Sequence, residues 1–176
     1  MHLKCTFTGM KLSTFTDYSL RLLMYLATEP QRRTTIAEVA AAYDISAHHL
    51  TKVAHGLGRD GWLANVRGHG GGLALAMPAR QIVVGQVVRR TERASAAVGG
   101  DAERALTCLA GDAAQCAIAP VCRLRGALDE ALQAFYRVLD RYTLADLVLQ
   151  RDALPPLPGI ALPAPARASV VARAAS

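Results

Sequence analysis

The sequence predicts a mainly α-helical protein with a small β-wing: a winged helix-turn-helix followed by a long C-terminal dimerisation helix. Three observations carry this expectation. Apolar residues make up 52% of the chain but aromatics only 5%, with Ala and Leu dominant, a mixture that favours helices over a β-sandwich. Two short apolar-periodic segments flank Asp44-Ile45-Ser46, the layout of a helix-turn-helix, although many helical hairpins share it. A glycine run around Arg67 then separates two short β-capable stretches. At 176 residues the chain fits one domain with an appendage and excludes two large domains.

Residues 1–9, MHLKCTFTG, lack periodicity and precede Met10. They are expected to be an extra N-terminal segment, with translation starting at Met10 and Cys5 outside the functional protein. The winged-helix domain is expected over residues 10–80. Phe15, Leu20, Leu22, Leu23, Leu26 and Ala27 mark its first helix, with Ser13 and Thr14 available as N-caps. Asp17 and Arg21 fall four apart there and can pair on one face.

Thr35-Ile-Ala-Glu38 has the form of a capping box opening a short helix through Val39, Ala40 and Tyr43. Ser46 can cap the next helix, which runs through Leu50, Val53 and Leu57 and is bracketed at its end by Gly58 and Gly61. Residues 62–76, WLANVRGHGGGLALA, read as a hairpin with a cationic, glycine-rich tip. A phosphate-binding loop is the competing reading, but the run lacks the Lys-Ser/Thr ending and no βαβ unit surrounds it.

A linking helix is expected in residues 81–100, with Gln81 to Arg93 helical and Ile82, Val83, Val87 and Val88 buried. Residues 101–122 form the cysteine segment. Within 121–149, Val121, Leu128, Phe135 and Tyr142 recur every seven residues, with Leu124, Ala131 and Val138 interleaved. A helix over that pattern spans about 22 residues, ~33 Å, and is expected to pair with a copy of itself. The Pro- and Ala-rich residues 150–176 read as a disordered tail.

The formal charge is +6, with 17 Arg against 3 Lys, which suits an anionic partner rich in phosphate, although a GC-rich genome also favours Arg. No apolar run approaches a membrane span and residues 1–20 lack a secretory signal, so a cytoplasmic protein without membrane contact is expected.

Cys108, Cys116 and Cys122 place three thiols within 15 residues at spacings of seven and five. Three sulfurs do not close a tetrahedral zinc site, and the five histidines (His2, His48, His49, His55 and His69) all lie far away in sequence. Thiolates bind iron-sulfur clusters, and a set of three Cys with one weaker ligand leaves an iron open to a small diatomic molecule. Unligated structural cysteines and a thiol/disulfide switch are the rival readings. Neither a general acid, a base nor a substrate pocket emerges, so an enzyme is not expected.

The stretches KLSTFTDYSLRLLMYLA, DISAHHLTKVAHGLGRDGWL, VRGHGGGLALA and QCAIAPVCRLRGALDEALQAFYRVLDRYTLADLV closely resemble the NsrR family of nitric-oxide-sensitive repressors, over about residues 10–149. These share a winged-helix family with the IscR regulators. The resemblance implies a homodimer whose subunits each bind one iron-sulfur cluster, [4Fe-4S] or alternatively [2Fe-2S], through Cys108, Cys116 and Cys122. It further implies a fourth ligand from the first helix of the other subunit, here Asp17, held in place by Arg21. IscR-like proteins carry a histidine three residues after the last cysteine, where this chain has Arg125, which favours the NsrR branch. The first cysteine spacing is longer than the family's usual interval, and Gly111 with its small neighbours can absorb the extra residues.

Residues near the start of a recognition helix contact base edges while cations position the backbone. Ser46, His48, His49 and Lys52 are the candidates on that helix, Arg67 at the wing tip, and Arg32 and Arg33 before the capping box. His55 reads as structural or solvent-facing. A dimer implies a near-palindromic double-stranded operator with half-sites ~34 Å apart. The expected function is therefore a dimeric repressor that senses nitric oxide and releases its operator on nitrosylation, the alternative being a winged-helix regulator with a cluster-free thiol/disulfide switch.

Overall fold

The computed structural model describes residues 12–66, 71–97 and 122–148. Helix α1 (Thr14–Thr28) starts at Ser13, whose Oγ accepts from the Thr16 N–H at 3.2 Å. Its Leu22, Leu23 and Leu26 are fully or almost fully buried. Helix α2 (Ile36–Tyr43) opens with the complete Thr35–Glu38 capping box and ends at Asp44, whose left-handed backbone (φ 53°) turns the chain into the next helix. Helix α3 (Ala47–Arg59) turns Leu50, Val53, Ala54 and Leu57 inward. Ser46 occupies its N-cap position, but its side chain makes no cap hydrogen bond.

Gly61 (φ 81°) reverses the chain into β1 (Leu63–Val66), which pairs antiparallel with β2 (Gly72–Leu75), Leu63 opposite Leu75 and Val66 opposite Gly72. Thr34 adds a bridge to Leu73, with N···O distances of 3.1 and 2.7 Å, so the wing is tied to the start of the helix-turn-helix. A Cβ at position 72 would lie 3.0 Å from the Thr34 carbonyl oxygen, so glycine lets the two backbones approach without displacing this bridge. The element order and this small sheet are those of a winged helix.

Two expectations change in the second half. The linking helix begins at Val84 (α4, Val84–Ala97), not at Gln81. Ala79–Gln81 form a 3-10 turn, and Val83 makes an isolated antiparallel bridge with Thr143. Val84 N–H donates to Tyr142 O at 2.9 Å and Leu144 N–H to Ile82 O at 2.8 Å, which holds this stretch extended. The 22-residue helix expected from Val121 to Tyr142 is instead α5, Arg123–Leu139, followed by a short α6, Leu144–Val148. The same pairing pulls Tyr142 and Thr143 off the helical path, and Arg89 fixes the turn by donating to both oxygens of Asp140. Thr143 and Asp146 then cap α6, with Thr143 N–H donating to Asp146 Oδ2 at 2.7 Å.

One core joins α1, α2, α3, the wing base and α6 through Leu22, Leu26, Val39, Leu50, Leu57, Trp62, Leu73, Ile82, Val87 and Leu144. Helix α1 lies at its centre, packed on α3, α4, α6 and β2. Helix α5 contacts α4 but buries none of its own residues, and Leu124, Leu132 and Val138 are exposed on it, Leu124 by 57%. The expected N-terminal segment 1–9, Met10, most of the cysteine segment and the tail lie outside the described residues, as do residues 67–70 at the wing tip.

Candidate nucleic-acid interface and the Asp17 turn

The buried face of α3 leaves Ser46, His48, His49 and Lys52 exposed on the opposite side. Positions 48 and 52 are one turn apart, as are 49 and 52, so the imidazoles and the ammonium share one face. His49 stands between two rings: its centroid lies 6.1 Å from that of His48 and 6.3 Å from that of Tyr18 on α1. His55 is exposed further along α3. This face offers hydrogen-bond donors and acceptors together with positive charge, the functional groups that base edges and phosphates require.

Arg33 is exposed beside the wing base, its Cβ 3.3 Å from where a Cβ on Gly72 would stand. Arg32, expected at phosphate, pairs with Glu38 within the subunit, and its Nε lies 3.8 Å from Glu29 Oε2. The charge of Glu38 raises the Arg32 value. The Thr35 backbone N–H, ahead of the Thr35 hydroxyl and Arg32, holds Glu38 below the ordinary carboxylate value. Arg67 lies outside the described residues.

Asp17 and Arg21 do pair as their spacing allows: the Arg21 Nε–H is shared between Asp17 Oδ1 at 3.0 Å and Oδ2 at 2.9 Å. Arg21 also sits 5.8 Å from the centre of the Tyr43 ring, which in turn meets Tyr25 edge-on. The Asp17 side chain is 44% exposed, and the one N–H that meets it among the described residues leaves lone pairs with which it can accept from, or ligate, a further group. Polar contacts to α4 steady this turn. Ser13 donates from N and Oγ to Glu92 Oε1 at 2.9 and 3.0 Å, and Thr16 Oγ1 lies 2.8 Å from Thr91 Oγ1.

Cys122 sits at the N-cap position of α5, half-buried and in no disulfide among the described residues. Cys108 and Cys116 lie outside the described residues, and the residues that are described contain no group of three metal-ligating side chains. Sequence reasoning gave Tyr18, Tyr43 and Glu92 no role at the site. Tyr18 was detectable only as the neighbour of Asp17, whereas Glu92 meets Ser13 across 79 residues and carries no local signal.

The profile of the family described as "Rrf2: Iron-dependent Transcriptional regulator" matches residues 12–150. The HTH-type transcriptional regulator NsrR of Geobacillus kaustophilus is 45% identical over 146 residues, covering 82% of this chain and 94% of that protein. NsrR of Bacillus subtilis is 43% identical over 144 residues, with 81% and 93% covered. Among solved structures, the oxidized form of Staphylococcus aureus CymR aligns with a TM-score of 0.58 at 28% identity, covering 80% of this chain and 97% of that one.

Proposed function

The chain belongs to the Rrf2 family of iron-dependent transcriptional regulators, and from that premise we propose that it acts as a dimeric, cytoplasmic repressor that senses nitric oxide through an iron-sulfur cluster. That it is a transcriptional regulator of the NsrR and Rrf2 type, and not an enzyme, follows from the relatives it matches. Among the described residues no helix is long and apolar enough to cross a membrane.

In this reading Ser46, His48, His49 and Lys52 enter the major groove of a near-palindromic operator, with Arg33 and Arg67 on the backbone or in the minor groove. The exposed apolar residues of α5 pack against the same helix of a second copy, since this 17-residue amphipathic helix fully buries none of its residues and otherwise leaves Leu124, Leu132 and Val138 facing water.

The donor set fits a cluster. Cys122 is a thiol in no disulfide among the described residues, Cys108 and Cys116 supply two more in sequence, and Asp17 presents an accessible carboxylate oxygen. When bound, the cluster supplies an iron at which nitric oxide reacts. The chain's own residues do the rest. The three thiolates would hold the group, the partner's copy of the Asp17 carboxylate would complete the ligation as a weak, displaceable ligand, and Arg21 would restrain that carboxylate. A shift of Asp17 would move the first turn of α1, which packs on the recognition helix, and would lower operator affinity.

The observation that carries this reading is the half-exposed Asp17 carboxylate on a helix packed directly against α3. It is tested by anaerobic footprinting of genomic fragments. Protection of an inverted repeat that disappears on adding nitric oxide is expected; no specific protection in any fragment would overturn it. The second reading, a cluster-free thiol/disulfide switch, draws on Cys122, a thiol in no disulfide among the described residues, and on likeness to a regulator crystallised in an oxidized form. Stoichiometric disulfide with no iron in anaerobically purified protein would select it.

A further inference from the structure

Asp17 and Tyr18 are consecutive on α1, so their side chains leave the helix ~100° apart. Asp17 turns to Arg21 and Tyr18 to the recognition helix, where its ring lies 6.3 Å from the His49 imidazole at an interplanar angle of 35°. One turn earlier, Phe15 fills the space beside Gly56, where a Cβ would come within 3.1 Å of Phe15 Cζ. The two rings, three residues apart on α1, therefore grip α3 at positions seven residues apart. Displacement of the first turn of α1 cannot leave α3 where it was unless one of these contacts breaks. Of the two, the Tyr18 contact ends on a side chain of the exposed DNA-facing surface, and His49 in turn lies against His48.

We infer that Tyr18 is a positioning residue: its ring sets the orientation of His49 for DNA contact and carries movement of the Asp17 turn to that imidazole. The transmission rests on Asp17 being a cluster ligand; the positioning of His49 does not.

The test uses the full chain, reconstituted anaerobically, as wild type, Tyr18→Phe, Tyr18→Ala and Tyr18→Leu, with iron and sulfide measured per chain. The probe is a duplex selected in vitro from random sequence by the wild-type protein. Aromatic pairs of this kind are worth about 0.5–1.5 kcal/mol, so loss of the ring in Tyr18→Ala should weaken binding by roughly two- to tenfold. Tyr18→Phe, which keeps the ring, should bind as wild type. In Tyr18→Ala the ratio of loaded to cluster-free affinity should fall to one at unchanged iron content. The His49 ring resonances should move on cluster loading in wild type and Tyr18→Phe but stay still in Tyr18→Ala. Tyr18→Leu, which keeps apolar bulk without the aromatic face, should behave as Tyr18→Ala and covers the case in which the smaller residue unfolds the helix pair.

Wild-type affinity and a wild-type ratio in Tyr18→Ala or Tyr18→Leu, at wild-type iron content, would overturn the inference. If the wild-type protein takes up no iron, the Asp17 reading fails by itself. The cluster-free affinities then decide the positioning claim, and equal binding by Tyr18→Leu and Tyr18→Phe would overturn it.

Discussion

The Nε–H of Arg21 bridges both carboxylate oxygens of Asp17, at 3.0 and 2.9 Å, while its guanidinium lies over Tyr43. Both side chains are more than two-fifths exposed, so the pair contributes less than ~1 kcal/mol to folding. Its value lies in holding a carboxylate still. Asp17→Ala should change the visible spectrum and the nitric-oxide response at nearly unchanged urea stability, and Arg21→Ala should hasten the response while keeping the iron. A loss of several kcal/mol in either variant would instead mark the pair as structural.

The Thr35–Glu38 box gives a stability prediction with a pH sign. Thr35→Ala should cost about 1 kcal/mol, read from urea unfolding. Glu38 has a lowered native value, chiefly through the Thr35 N–H, so its stabilisation is complete above the ordinary glutamate value. That stabilisation is lost as pH falls through the depressed native value. Glu38→Gln, which cannot ionise, should therefore show a shallower acid loss of stability than wild type.

The parts of the fold that were legible in the sequence are those set by neighbours in the chain. The Ser13 cap, the Thr35–Glu38 box, the inward Leu50, Val53 and Leu57, and the hairpin around the glycines all act within a few residues. The start of α4 and the end of α5 were misread, because both depend on Ile82–Val84 pairing with Tyr142–Leu144 some 60 residues later. The ion pair of Arg32 with Glu38, six residues on, was not read from the sequence, because the same carboxylate already serves the capping box. At the candidate site, the Asp17–Arg21 spacing was visible, whereas the contact of Tyr18 with His49 needed the crossing of two helices.

On the recognition helix, the two kinds of contact should separate experimentally. Lys52→Ala should weaken binding across sequences and reduce the slope of log affinity against log salt by roughly one phosphate's worth. His48→Ala should instead cost ~1–3 kcal/mol on the selected duplex and less on mismatched ones. Salt titrations by fluorescence anisotropy distinguish the two, and identical salt slopes with uniform losses would remove His48 from base reading.

Helix α5 should be dispensable for folding and required for assembly. Leu124→Asp with Leu132→Asp places charge on two exposed positions outside the core, so thermal unfolding monitored by circular dichroism should remain cooperative. Sedimentation should show a dimer for the wild type and a monomer for the double variant. A dimeric double variant would move the interface elsewhere.

The central claim is that three cysteines and Asp17 hold an iron-sulfur group that nitric oxide attacks. The most direct test is anaerobic purification followed by iron and acid-labile sulfide measured per chain, with the visible spectrum recorded during nitric-oxide titration. About four iron and four sulfide per chain, with absorption that nitric oxide bleaches, is the predicted result for a [4Fe-4S] group. Neither iron nor sulfide after attempted reconstitution would contradict the account and leave a winged-helix regulator whose cysteines act as thiols.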